Sequence, residues 1–152
     1  MMRPLYSSGH GRSSGLALVL AFVVAGCAIS TEQDLGSRAG MECVDDSPLC
    51  ISQRQGALRQ LMADKNRSWV RQPPSTGAYA SGVRLFALKS KKKELSCDEL
   101  SHGRREADAA PNVLRGPSGK HLTPAQISRG VMLAHEVSRE LGNEFKRRCK
   151  NA

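Results

Sequence analysis

The sequence predicts an all-α protein: a small bundle of three to four helices stapled by disulfides, preceded by a signal peptide and a flexible tether. Three observations carry this reading. The segment from Thr123 to Cys149 places apolar residues at three-, four- and seven-residue offsets, the spacing of one helix face. Two helix-start signatures, Ser96 with Glu99 and Thr123 with Gln126, stand ahead of helical segments. Beyond the N-terminal segment lie four cysteines, Cys43, Cys50, Cys97 and Cys149, an even set of the kind that staples small exported domains.

The chain opens on a targeting pattern. Arg3 and Arg12 give a basic start with no acidic residue, and Leu16 to Ala25 is an unbroken apolar run. That run has the length of a secretory core and is shorter than the roughly 20 apolar residues a spanning helix needs. It closes on Val24-Ala25-Gly26-Cys27. These four residues resemble the lipobox of bacterial lipoproteins, an aliphatic residue and two small ones before a cysteine. The resemblance covers only this segment. It implies a diacylglycerol on the Cys27 sulfur, cleavage before Cys27, and hence residues 1–26 as signal peptide. It further implies a bacterial cell-envelope location, lipid-anchored, with the membrane as a partner through that lipid. Ala28 follows the cysteine; by analogy with enterobacterial sorting, this favours the outer membrane, facing the periplasm. The only non-protein group expected is the covalent lipid; no cofactor is expected.

Removal of residues 1–26 leaves 126 residues with 21 basic and 14 acidic side chains, a net +7. That length bounds the remainder to one domain. Aromatic residues are 4% of the chain, so the core must be aliphatic. A core that small supplies only a few kcal/mol and benefits from staples. Four cysteines allow three pairings, and the favoured ones are Cys43–Cys50, closing a short loop, and Cys97–Cys149, clamping two helices. No C-x-x-C or nearby histidine pair suggests a metal site.

Residues 27–42 are polar and read as the lipidated N-terminus and tether, with the helical domain spanning 43–152. A first helix is expected after Ser47, with Pro48 in its first turn and Trp69-Val70 at its end. Pro73-Pro74 and Ser75 to Gly77 form the break after it. Tyr79, Val83, Phe86 and Ala87 are spaced for a second helix, and Lys89 to Lys93 ends its apolar pattern. A third helix is expected from Cys97 to Ala110, stopped by Pro111. The fourth, capped by Thr123 with Pro124 and Gln126, should run about 26 residues, near 39 Å. If the third and fourth helices are antiparallel, Cys97 and Cys149 meet at one end. The unmatched half of the fourth, Thr123 to His135, must then pack on the first two.

Catalytic signatures are lacking. His135-Glu136 begins like a zinc-protease motif, but the second histidine position is Arg139. Cys97 and His102 could form a nucleophile pair only with Cys97 reduced. Ser90 and Lys93 have a hydrolase spacing inside a charge run. The chain is therefore expected to be non-catalytic, binding another envelope component, either a protein or an anionic lipid; a lipid or small-ligand carrier and a hydrolase are the alternatives. The candidate anion-binding residues are Lys89, Lys91, Lys92, Lys93, Lys146, Arg147, Arg148 and Lys150. No aromatic residues interleave with them for base stacking, and nucleic acid is not an expected partner.

Overall fold

A computed structural model describes residues 38–149, and every regular element among them is helical. After a helical segment over 38–42 come α1 (Pro48–Ala63), α2 (Thr76–Ser81), α3 (Val83–Lys91), α4 (Cys97–Arg115) and α5 (Pro124–Arg148), with 3-10 turns at Ser68–Arg71 and Pro117–Gly119. The proposed signal peptide, Cys27 and Lys150 lie outside the described residues.

Local chemistry sets most helix starts. The Ser47, Ser75, Ser96 and Thr123 side chains each accept from the backbone N–H three residues on. At α4 and α5 the capping box is complete: Glu99 and Gln126 reach back to the N–H of Ser96 and Thr123, at 2.7 and 2.8 Å. Each box satisfies donors that a bare helix end leaves unbonded.

Helix ends depart from expectation where tertiary packing decides. α1 stops at Ala63, before Trp69-Val70. Asp64 accepts from the N–H of Asn66, and Arg67 takes a left-handed conformation at φ 51°. Trp69 and Val70 then enter the core on a 3-10 turn, 5% and 0% exposed. The expected second helix is two helices. Its break at Gly82 has φ 73°, which L side chains adopt only with strain, and a Cβ there would sit 2.8 Å from a Leu133 methyl. Ser75 to Gly77, read as part of the preceding break, instead supply the cap and first turn of α2. α3 continues through Lys89 to Lys91, because Lys91 is buried and its Nζ reaches Glu94 at 3.0 Å.

Pro111 does not stop α4, which runs on to Arg115. A proline inside a helix costs about 3 kcal/mol. Here the ring is buried and Leu114, one turn on, is 0% exposed. Burying a leucine side chain contributes about 1.5–3 kcal/mol, which with the buried ring offsets the loss. Residues 40–42, assigned to the tether in sequence, also belong to the folded body. A Cβ on Gly40 would collide with the Gln53 carbonyl oxygen, and Met41 packs on the core.

α4 and α5 form the most extensive helix pair and lie antiparallel, joined at one end by Cys97–Cys149, with Cα atoms 5.8 Å apart. The second disulfide, Cys43–Cys50, ties the residues before α1 to its first turn, with Cα atoms 5.5 Å apart. The N-terminal half of α5 packs on α2, where Gly130 lies against Tyr79 and Ala80, as expected for the second helix, but only slightly on α1. It reaches the loop ahead of α1 through polar contacts, Gln126 to the Val44 carbonyl at 3.1 Å and Arg129 to Asp46 at 2.9 Å.

The core is aliphatic: Leu85, Leu88, Leu95, Leu100, Leu114 and Leu141 are fully buried. One ion pair lies within it. Arg84 and Glu106 side chains are 4% and 3% exposed. Burial pushes the Glu106 carboxyl up against the opposing pull of Arg84. It also raises the adjacent Tyr79 phenol to about 12, with Glu106 adding to the effect.

Candidate anion-binding surface

The two basic runs seen in sequence meet at the end of the bundle that carries Cys97–Cys149. α3 and the turn after it deliver Lys89 to Lys93 to this end, and α5 delivers Lys146 to Arg148. Arg148 joins them. Its guanidinium donates to the carbonyls of Lys93 at 2.8 Å, Lys92 at 3.3 Å and Leu95 at 2.9 Å. A cation there satisfies carbonyls that the end of α3 leaves without helical partners.

The electrostatics are more balanced than the runs suggest. Glu136, Glu140 and Glu144 recur every fourth residue along one side of α5. Lys89 donates to Glu136 at 2.7 Å and lies 3.6 Å from Glu140, which also holds Lys92. Arg147 donates to both oxygens of Glu144 at 2.7 Å. The hydrogen bond to Glu136 holds the Lys89 ammonium above its ordinary pKa; Lys92 holds Glu140, and Arg147 holds Glu144, below theirs. Much of the basic run thus pins α3 to α5.

Lys93 and Lys146 are the exposed cations of this end without a carboxylate partner among the described residues. Seven of the eight sequence candidates are described, and with the four carboxylates Glu94, Glu136, Glu140 and Glu144 they sum to +3. Screening confines their field to about 8–10 Å at physiological salt. Exposed ammonium groups of this kind can attract phosphate-bearing headgroups or an acidic protein.

Sequence reasoning missed two concave features. An apolar groove of about 300 Å3 opens between α1, α3 and α5, lined by Ile51, Leu58, Val83, Phe86 and Leu133. The exposed Phe86 was legible as an apolar residue, but the walls come from three separated segments. A second cavity, touching Arg84 and residues 38–42, had no sequence signal beyond an arginine between Val83 and Leu85. Among the described residues no helix is long and apolar enough to cross a membrane. Comparison with family models, with curated proteins and with solved structures gives no match.

Proposed function

We propose that this chain is a lipid-anchored protein of the bacterial envelope, held through diacylglycerol on Cys27, that binds another envelope component without catalysis. The observation that carries the reading is Val24-Ala25-Gly26-Cys27 at the end of an apolar run, ten residues ahead of the described domain. Two disulfides in that domain support a location outside the reducing cytoplasm. Ala28 favours the outer membrane and the periplasmic side. The net positive end at Lys93 and Lys146 is the face offered to an anionic lipid surface or an acidic protein.

Metabolic labelling with a tagged fatty acid tests the anchor. The full chain should carry label and fractionate with membranes, and Cys27→Ser should lose both. Unlabelled protein in the soluble fraction, unchanged by Cys27→Ser, would overturn the reading. Cross-linking in intact cells would then identify the bound component.

A second reading, a carrier for a lipid or another small apolar ligand, is favoured by the groove between Ile51, Phe86 and Leu133. Its volume reaches the lower end of the roughly 300–1,000 Å3 typical of small-molecule sites. Saturable displacement of a fluorescent fatty acid would support it.

A further inference from the structure

Arg84 is 4% exposed and pinned along one edge. Its Nε donates to Glu106 Oε1 at 2.7 Å; its Nη2 serves Glu106 Oε2 at 2.7 Å and the carbonyls of Gln72 and Val70 at 2.5 and 3.3 Å. The guanidinium carbon also lies 5.7 Å from the centre of the Trp69 ring. Nη1 has no hydrogen-bond partner among the described residues. Among the described residues Trp69 Nε1 is the fully buried side-chain polar atom without a partner, so Nη1 keeps some access to solvent and is open to an acceptor.

A cavity of about 360 Å3 touches Arg84. It lies between residues 38–42 and the turn from Gln72 to Ser75. Glu42 also lines it, and its carboxylate accepts from the Ser75 hydroxyl. Gly77 leaves room for that carboxylate, since a Cβ there would collide with Glu42 Oε2. Met41, Pro73, Pro74 and Ala78 supply apolar wall, and Arg38 adds a second guanidinium to the lining.

We propose that this cavity binds a small zwitterion of the amino-acid or short-peptide class, with its carboxylate on Arg84 Nη1 and its ammonium on Glu42. Two charge-assisted contacts of opposite sign, set apart on an apolar wall, match a free carboxylate and a free amine on one small molecule. A hydrocarbon would strand these polar groups. Arg84 is already fixed before the ligand arrives, so little ordering opposes binding. The basic end of the bundle plays no part in this site.

Trp69 is the single tryptophan and reports on Arg84 directly. The folded, oxidised protein is titrated with Ala-Ala, Ala-Ala amide, N-acetyl-Ala-Ala and alanine, following Trp69 fluorescence and its indole N–H resonance. Ala-Ala should give a saturable change, and its amide should bind about tenfold or more weakly, the loss of one charge-assisted bond. Glu42→Gln, a surface change that leaves the core intact, should erase the preference for Ala-Ala over its N-acetyl form. Alanine binding as well as Ala-Ala would assign the single amino acid as the ligand size within the same class. Equal response to the acid and the amide, or no saturable change at millimolar Ala-Ala, would overturn the proposal.

Discussion

Glu106 on α4 accepts two hydrogen bonds from Arg84 on α3, each 2.7 Å, at the centre of an aliphatic core. Desolvating both charges is costly, and only the pairing with each other and with the carbonyls of Val70 and Gln72 offsets it. Removing one partner leaves the other charged and buried. Glu106→Leu should therefore destabilise the protein by about 3–5 kcal/mol in urea unfolding, and adding Arg84→Met should restore much of that loss. A double variant no more stable than Glu106→Leu would show that the pair contributes well beyond mutual compensation.

The two disulfides should differ in weight. Cys97–Cys149 spans 52 residues of sequence and Cys43–Cys50 spans 7. Chain-entropy arguments give about 4 kcal/mol for the long loop and about 2.5 kcal/mol for the short one. Paired serine variants, compared by denaturant midpoint, should show Cys97→Ser with Cys149→Ser as the more damaging pair.

Acid should loosen the start of α4. Burial pushes Glu99 up, but hydrogen bonds from the Ser96 N–H and from Arg67 outweigh it, so its folded pKa lies below the ordinary value. Its stabilising contribution is full above the unfolded pKa of about 4.3 and is lost as pH falls through the folded value. Urea midpoints measured downward from about pH 5 should fall, and Glu99→Gln should lower stability at neutral pH while flattening that slope.

Two glycines should respond with opposite signs. Gly82→Ala puts a side chain at φ 73° and crowds Leu133, and should cost about 1–2 kcal/mol. Gly56 sits inside α1 in open space: an added Cβ would find its nearest neighbour, the end of the Arg59 side chain, 3.9 Å away. Gly56→Ala should stabilise by about 0.5–1 kcal/mol. Thermal unfolding of the two variants checks both.

If the basic end meets an anionic surface, its acids set the affinity. Glu140 neutralises Lys89 and Lys92. Glu140→Gln should strengthen binding to vesicles containing anionic lipid, whereas Lys93→Glu with Lys146→Glu should weaken it, and both effects should shrink as salt is raised. Binding to neutral vesicles should not change.

Much of the fold was legible because its signals are local. The Ser96–Glu99 and Thr123–Gln126 boxes set two helix starts within four residues of sequence. The apolar stripe of α5 and the Cys97–Cys149 pairing followed from period and length. What escaped is tertiary. Pro111 stays helical because Leu114 is drawn into the core. Gly82 breaks a helix that periodicity alone would continue. The basic candidates were found, but their carboxylate partners on α5 were not, because Lys92 and Glu140 are 48 residues apart. Arg84 gave no warning of burial, since its partner Glu106 lies on another helix.

Residues 40–42 packing onto α1 changes the scale on which a Cys27 anchor would operate. Only ten residues, 28–37, then separate the lipid from the described body. Fully extended they span at most about 33–36 Å. The anchored domain would patrol a thin shell over its bilayer, comparable in depth to its own longest helix. Its encounters would become two-dimensional, governed by lateral diffusion and by what else projects into that shell.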